Sequence, residues 1–220
     1  MSMTYEEAVA FLNNVLSDDD SVKWKEYPII NPEFDKNDIR SRVKIGWFVF
    51  AEGYVSPDKD AFPNCQGVIG IINDDPNAKE GNLVKVVLRH QKDMIKWCEK
   101  KIYTEVTDLD NGRENTKRLL EYGKKKGICF PAMEFARDYN YDGVKAGEAY
   151  VPAANELNEL SKNFKAIDDA LRQIGSSFNY YYWSSSENIV HTAWTVSSSD
   201  GYVSCYSKYD SYAVSCLLDY

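Results

Sequence analysis

The sequence predicts an α+β protein in which helices occupy the middle of the chain and strands dominate its C-terminal end. Apart from one helix near the N-terminus and a short one at residues 93–102, the helical signals concentrate between Glu114 and Gly175. After Gly175 the chain shows only strand and turn signals. Hydrophobic residues make up 44% of the 220 residues and charged residues 27%, a balance typical of a globular protein with a substantial core.

The first 40 residues are predicted to form a helix and a lead-in segment. Thr4 and Glu7 match a capping box, and Phe11, Leu12 and Val15 fall on one helical face, which predicts a helix over about residues 4–17. We expect residues 1–40 to pack on a main domain formed by residues 41–220. Attachment of this segment to a larger particle is the alternative.

Four segments precede the central helices. "VKIGWFVFAEGYVS" predicts two short strands with a turn at Glu52–Gly53, and "QGVIGIIND" and "GNLVKVVLRH" each predict a buried strand. "DMIKWCEKKI" predicts one short helix. The chain therefore passes through four strands and this helix before it reaches the helices in the middle.

The central helices have recognisable ends. "ENTKRLLEYGKKKG" predicts a helix that ends at Gly127, and "PAMEFARDYN" predicts a second one that begins at Pro131. "GEAYVPAANELNELSKNFKAIDDALRQIG" predicts a strand up to Val151 and one or two helices, with Gly175 as the C-cap. The segments "YYYWSSS", "TAWTVS", "GYVSCYS" and "YAVSCLL" then each predict a strand.

Charge and composition exclude several classes of protein. The net charge of −8 argues against nucleic acid as the main partner, because phosphate binding needs a basic surface. The N-terminus lacks the pattern of a secretory signal, and no stretch has transmembrane length. We therefore expect a protein made in the cytoplasm, with no membrane insertion, for which a virion or a cell surface is the candidate place of display.

No constellation of residues indicates catalysis or metal binding. The five cysteines have no C-x-x-C spacing, and mostly free thiols are expected. "DLDNGRENT" is not a calcium loop, because Thr107 and Leu109 occupy ligand positions. We predict a non-enzymatic protein without catalytic residues, metal or cofactor. An enzymatic alternative would depend on Cys205 and Cys216.

Residues 180–216 have the composition of a binding surface. Tyr and Ser are abundant and charged residues are few in this range. Tyr offers a rigid, half-polar contact area at low entropic cost, so it is enriched in adaptable binding surfaces. Tyr also favours β-strands, so sheet packing accounts for the composition equally well.

An ordered set of motifs resembles a bacterial and phage family with a C-type lectin-like fold. The motifs are "GWFVFAEGYVSPDKD…GVIGIIN", "ENT", "CFPAMEFARDYN", "AYVPAANELNEL", "YYWSSSE" and "AW", and they extend from about residue 44 to residue 220. The family ends in "V-R-x-V-x-A-F", whereas this chain reads "AVSCLLDY" with Ser215 in place of the arginine. The calcium-dependent sugar site of classical C-type lectins is not expected, because the chain has no Glu-Pro-Asn motif.

A subset of this family is similar to the variable proteins of diversity-generating retroelements. In those proteins, adenine-directed mutagenesis turns AAC-type codons into NNC codons, which do not encode Trp, Lys, Glu, Gln or Met. Between Asn188 and Ser215 only Trp194 and Lys208 fall outside the NNC alphabet. The resemblance therefore implies that residues 180–216 form a variable ligand-binding region on a constant scaffold.

This interpretation separates scaffold from display positions. The scaffold residues are Trp183 and Trp194, with Val196, Val203, Val214 and Leu218 alternating inward along strands. The predicted ligand-binding positions are Ile189, Val190, His191, Thr192, Thr195, Ser197, Ser199, Tyr202, Ser204, Tyr206, Ser207, Tyr209, Asp210 and Tyr212. The expected partner is a protein or a cell-surface ligand. The alternative function is a lectin-like adhesion or structural module of fixed specificity on a bacterial or phage surface.

Overall fold

The computed structural model describes residues 39–75, 83–178 and 181–220. These ranges contain helices in the middle and strands at both ends, so the prediction of an α+β protein is confirmed. The strands are β1 (Phe48–Phe50), β2 (Val55–Ser56), β3 (Cys65–Ile72), β4 (Val84–Leu88), β5 (Lys92–Lys96), β6 (Tyr181–Ile189), β7 (Thr192–Ser197), β8 (Val203–Ser207), β9 (Ser211–Val214) and β10 (Leu217–Asp219). The α-helices are α1 (Gly112–Lys126), α2 (Pro131–Arg137), α3 (Ala154–Ser161) and α4 (Phe164–Gln173).

A first sheet has the strand order β10-β4-β3-β1-β2 and is antiparallel throughout. Val49 and Ile69 belong to one hydrophobic cluster, whereas their neighbours Phe48 and Val68 belong to a second one. Because successive residues of a strand point to opposite faces, both faces of this sheet are buried. The four strands predicted before residue 90 are confirmed, with a short 3-10 turn at Ala51–Gly53 between β1 and β2.

The ends of α1 follow its sequence signals. The side chain of Asn111 accepts a hydrogen bond from the backbone N–H of Glu114 at 3.0 Å, which caps the first turn. Gly127 has φ of 63°, a left-handed conformation that ends the helix at the predicted residue. α2 begins at Pro131 as predicted, and α1 and α2 pack against β6 and β5, respectively.

The predicted strand up to Val151 is reduced to a single bridge between Tyr150 and Leu217. Two helices follow, and Gly175 adopts a positive φ of 77° just beyond α4. α3 packs against β6 and β7, and α4 packs against β3. The two helices therefore cover the first sheet and support the strands of the C-terminal segment.

The prediction of a helix at "DMIKWCEKKI" is wrong, because Lys92–Lys96 forms strand β5. β5 pairs with β9, and Ile95 lies opposite Tyr212. The carbonyl oxygen of Ile95 also accepts a hydrogen bond from Nε1 of Trp183 at 2.9 Å. Met94 has φ of 52°, which is incompatible with a helix. Pairing with distant residues therefore outweighs the local helical pattern.

A second sheet has the strand order β5-β9-β6-β7-β8. β6 and β9 are parallel, and the other pairs are antiparallel. "YAVSCLL", predicted as one strand, is divided between β9 in this sheet and β10 in the first sheet, with buried Ser215 and Cys216 between them. The end of the chain therefore connects the two sheets.

The predicted helix over residues 4–17 and the apolar contacts of its side chains lie outside the described residues. Where the description begins, Ile39 is buried and belongs to a 3-10 turn, Ile39–Ser41. Arg40 donates hydrogen bonds to the carbonyl oxygens of Asn73 and Asp75 at 3.0 and 2.6 Å. Across the described ranges, no helix combines the length and the apolar character needed to cross a membrane.

Candidate ligand-binding site

One face of the second sheet carries a cluster of partly exposed tyrosines. We call Tyr181, Ser204, Tyr206 and Tyr212 the tyrosine face. The ring of Tyr206 lies 5.6 Å from that of Tyr181 and 4.9 Å from that of Tyr212. Because β6 and β7 lie between the strands of Tyr206 and Tyr212, these two side chains lean together across the sheet.

Small residues on β7 make room for these rings. Tyr206 lies opposite Ala193, and Thr195 lies opposite both Trp183 and Ser204. Trp183 is fully buried beneath the ring of Tyr212, with ring centroids 5.0 Å apart. The cluster therefore rests on a rigid base, which limits the entropy lost on binding.

Two predicted display positions, Thr195 and Ser197, are buried instead. Thr195 is fully buried and Ser197 is 3% exposed. Both belong to β7, and Ser197 lies opposite Tyr181, so larger side chains on the neighbouring strands flank both residues. Their selection as exposed display positions is wrong, because a central strand with small side chains is covered by its neighbours.

The tyrosine face presents neutral hydroxyl groups at physiological pH. The hydrogen bond with Tyr206 raises the pKa of Tyr181, and burial raises the pKa of Tyr212. Hydrogen bonds from Ser197 and from the backbone N–H of Tyr202 lower the pKa of nearby Asp200, which therefore stays ionised. The surface can donate and accept hydrogen bonds through phenols beside the carboxylates of Asp200 and Asp210.

A second exposed patch surrounds the turn between β6 and β7. We define the hairpin tip as Ile189, Val190, His191 and Tyr209 together with Lys101 and Tyr103. Ile189 is 53% exposed and Tyr103 is 47% exposed. Nζ of Lys101 lies 6.0 Å from the ring centre of Tyr209. The patch thus combines predicted display residues with Lys101 and Tyr103, which lie outside the predicted set.

A buried ion pair holds the hairpin tip in place. Lys208 is 1% exposed, and its Nζ pairs with Glu187 and donates to the carbonyl oxygens of Ile102 and Val190 at 2.8 and 3.2 Å. The Glu187 carboxylate also accepts the backbone N–H of Thr104 at 2.8 Å. Burial lowers the pKa of Lys208, and the pairing with Glu187 opposes this effect. The three segments that form the tip therefore converge on one ammonium group.

The serines of "YYWSSSE" are part of the scaffold. Ser184, Ser185 and Ser186 are fully buried. The Ser184 hydroxyl donates to the carbonyl oxygen of Trp194 at 2.9 Å, and the Ser186 hydroxyl donates to that of Asp108 at 2.6 Å. These small polar residues tie β6 to β7 and to the loop before α1.

The other predicted positions divide by exposure. Ser199, Tyr202 and Asp210 are exposed, whereas Thr192 and Ser207 are half-buried beside the hairpin tip.

Trp183, Val196 and Val214 are buried as predicted for scaffold residues, but Trp194 and Leu218 are only half-buried. Val203 is 37% exposed, so its assignment to the scaffold is wrong, because it lies on the last strand of the sheet. Tyr181 is the main residue of the site that was not predicted, and its place two residues before Trp183 at the start of "YYWSSSE", on a predicted strand, could have indicated it.

The cysteines lack the surroundings of reactive thiols. All five are unpaired; Cys205 is exposed and Cys216 is buried. Burial raises the pKa of Cys216 and raises that of Cys65 to about 11, so both stay protonated. Within the described ranges, no group of three or more His, Cys, Asp or Glu side chains is arranged to hold a metal ion.

Comparison with known proteins shows a similarity of fold. No protein-family model matches the chain, and no curated protein does. The chain is similar to the crystal structure of a fimbrial protein from Bacteroides ovatus, with a TM-score of 0.62 and 16% sequence identity. The match covers 81% of this chain and 49% of the fimbrial protein, so the chain spans about half the length of that protein. At this identity the similarity shows a shared fold.

Proposed function

We propose that this chain is a non-enzymatic ligand-binding protein whose second sheet presents a variable surface to a protein or cell-surface ligand. The observation that carries the proposal is the position of the restricted alphabet in the fold. Twelve of the fourteen predicted positions are exposed or half-buried, and most of them lie on the tyrosine face, the hairpin tip or the β7–β8 turn; Thr195 and Ser197 are buried. Aromatic and hydroxyl groups on a rigid sheet suit adaptable recognition.

One of the two exceptions to the alphabet, Lys208, supports the retroelement interpretation. Lys208 holds the hairpin tip through its buried pair with Glu187. Variation at Lys208 would leave a buried carboxylate unpaired, so a diversified protein has to keep this lysine. We therefore propose a C-type lectin-like variable protein of a diversity-generating retroelement.

The gene locus tests the retroelement part directly. We expect a near-repeat of the 3′ coding segment close to the gene, differing only at template adenines. The codons of the exposed positions should end in C, and those of Trp194 and Lys208 should match the repeat. A locus with no such repeat and with ordinary codon usage at these positions would exclude diversification by a retroelement.

A library tests the binding surface independently of the locus. Positions 189–191, 202, 209 and 210, which are exposed, and positions 204 and 206, which are partly exposed, would be randomised and selected on immobilised streptavidin. We expect folded binders, since the randomised side chains lie outside the core. A matched library at buried Thr195, Ser197 and Lys208 should yield mostly unfolded protein. Equal recovery of folded binders from both libraries would contradict the assignment of the surface.

A lectin-like adhesion or structural module of fixed specificity is the second candidate. The similarity to a fimbrial protein favours it, because proteins of that kind belong to surface structures. It predicts that close relatives differ no more over residues 188–215 than elsewhere. Sequencing the gene from several isolates separates the two candidates, since diversification concentrates differences at the exposed positions.

A further inference from the structure

Strand β8 is an edge strand without the features that usually block such edges. β5, at the other edge of the same sheet, carries Lys92 and Lys96 and has a register shift in its pairing with β9. In the first sheet, β2 has only two residues, and β10 is bridged by Tyr150 through Leu217. Charges, bulges, short length and covering segments are the devices that prevent edge-to-edge association.

β8 has none of these features. Its sequence, Val203–Ser207 (VSCYS), contains no charged residue and no proline, and its pairing with β7 runs without a register shift. Val203 is 37% exposed, and Cys205 is exposed. Among residues 39–75, 83–178 and 181–220, no strand lies beyond β8.

The register shows which backbone groups point away from β7. Ser197 N–H donates to the carbonyl oxygen of Tyr202, and Lys208 N–H donates to that of His191. In an antiparallel pair the hydrogen-bonded positions alternate, so the even-numbered residues of β8 bond to β7. The N–H and C=O groups of Val203 and Cys205 consequently point outward along the open edge.

We propose that β8 pairs in antiparallel fashion with β8 of a second copy of this chain, about a two-fold axis at Cys205. Each Cys205 then lies opposite its symmetry mate, and Val203 lies opposite Ser207 of the second copy. The strand meets no like charge within this register. The N–H and C=O groups of Cys205 pair with those of its symmetry mate, and the Val203 carbonyl oxygen accepts the N–H of Ser207 from the second copy. The Ser207 carbonyl oxygen already accepts the N–H of Asp210 at 2.8 Å, so its bond to the second copy is a second, shared one. The two second sheets become one continuous sheet.

This pairing suits a strand whose side chains vary, and that variation is part of the proposed function. Main-chain hydrogen bonds do not depend on side-chain identity, so the dimer persists when positions 204 and 206 change. A two-fold axis perpendicular to the sheet places both tyrosine faces on the same side. The dimer therefore presents two identical binding surfaces in one direction, which raises avidity for a repetitive ligand.

The short length of β8 and the negative charge of the chain predict a weak dimer whose affinity depends on the salt concentration. Five residues bury a small area, so association belongs to the transient class. The net charge of −8 opposes association. Asp200 and Asp210 lie in the turns on either side of β8, so in the proposed dimer Asp200 of one copy lies near Asp210 of the other. Raising the salt concentration screens this repulsion and should strengthen the dimer.

Oxidative cross-linking tests the register in the full-length chain. Paired residues in an antiparallel ladder have Cα atoms about 5.5 Å apart, within the range that a disulfide spans. Cys129, the other exposed cysteine, is first replaced by Ser. Diamide should convert this variant to a disulfide dimer through Cys205, and adding Cys205→Ser should abolish the product. Adding Val190→Cys to the chain that carries Cys129→Ser and Cys205→Ser measures cross-linking by random collision. This variant should cross-link at least tenfold more slowly than the Cys129→Ser variant that keeps Cys205.

A second variant separates pairing from the mere presence of the thiol. Val203→Lys places a charge on the open edge and leaves the bonds to β7 intact, so it should suppress cross-linking through Cys205. Sedimentation equilibrium without oxidant should show a dimer for the parent and a monomer for Val203→Lys.

A parent chain that stays monomeric at all concentrations and at high salt, or equal cross-linking from positions 190 and 205, overturns the proposal. Occupation of the edge by residues 1–38 would give that monomeric result. The binding library is scored separately, so a monomer that binds ligand leaves the proposed function intact.

Discussion

Lys208 shows how a single buried charge determines the shape of the exposed surface around it. Its ammonium group contacts Glu187 and the carbonyl oxygens of Ile102 and Val190, and it lies 4.8 Å from the centre of the Trp97 ring. A buried ion pair seldom adds much net stability, but removing one partner leaves an uncompensated charge. The pair therefore acts by positioning the segments that meet at the hairpin tip.

Replacing Lys208 with Met should lower the free energy of unfolding by about 3–5 kcal/mol, because Glu187 stays buried without its counter-charge. The double variant Glu187→Gln/Lys208→Met should recover part of this loss. Lys145→Met, at an exposed lysine, should change stability by less than about 0.5 kcal/mol. Urea denaturation measures all three. A Lys208→Met variant as stable as Lys145→Met would show that the pair is not needed for folding.

Burial also separates the aromatic residues of the second sheet by their effect on stability. Trp183→Ala should cost about 3–5 kcal/mol, because the side chain is fully buried. Trp194 is half-buried, so Trp194→Ala should cost distinctly less. Tyr209→Ser should stay within about 0.5 kcal/mol, and Tyr206→Ser should lose about 0.5–1.5 kcal/mol through its ring contacts. Chemical denaturation ranks the four variants, and a Tyr209→Ser change as costly as Trp183→Ala would place Tyr209 in the core.

At the scale of the element, the end of α1 depends on one backbone conformation. Gly127 has φ of 63°, and a Cβ atom added there would meet no other atom within 4 Å. Space is therefore not limiting at this position, and the left-handed backbone is the sole requirement.

Gly127→Ala should lower the free energy of unfolding by about 1–2 kcal/mol, the cost of a left-handed conformation for a residue with a Cβ atom. Gly127→Asn should cost less, because asparagine tolerates this conformation. Thermal or chemical unfolding distinguishes the two variants. Equal stability of the alanine variant and the parent would mean that α1 ends in another way.

At the scale of the whole molecule, a polar network joins elements that are far apart in the chain. Nζ of Lys85 lies 2.9 Å from Asp219 and 3.1 Å from Glu156. The Tyr150 hydroxyl donates to Asp219 at 2.6 Å, and Nε of Arg113 donates to it at 2.7 Å. The network links β4 and β10 of the first sheet to α1 and α3, so it fastens the end of the chain to the centre of the fold.

The network predicts a loss of stability in acid. Burial raises the pKa of Asp219, but the hydrogen bond from Tyr150 and the charge of Lys85 outweigh burial and lower the pKa overall. A carboxyl group with a lowered pKa contributes stability above its unfolded value and loses it as the pH falls through the folded value. Asp219→Asn should therefore be less stable than the parent at pH 7, and this difference should shrink below pH of about 3.9.

Urea denaturation between pH 7 and pH 2.5 measures that difference. Asp60→Asn is the matched control, since the Asp60 side chain is 74% exposed. Its stability should follow that of the parent across the whole range. A constant gap between Asp219→Asn and the parent down to the lowest pH would assign the effect to packing.

The sequence by itself determined the features that depend on neighbouring residues in the chain. The end of α1 and the start of α2 follow from Gly127 and Pro131, whose preferences act within one helical turn. "TAWTVS" coincides with β7. Local conformational preference and strand periodicity are sufficient for such features.

Only the tertiary structure decided the features that depend on residues far apart in the chain. β5 became a strand because β9 lies beside it, and Thr195 became buried because side chains of two other strands flank it. Lys208 is inside the protein because Glu187 and two carbonyl groups surround it there. A side chain's burial is set by what packs on it, and the pattern of its immediate neighbours does not contain that information.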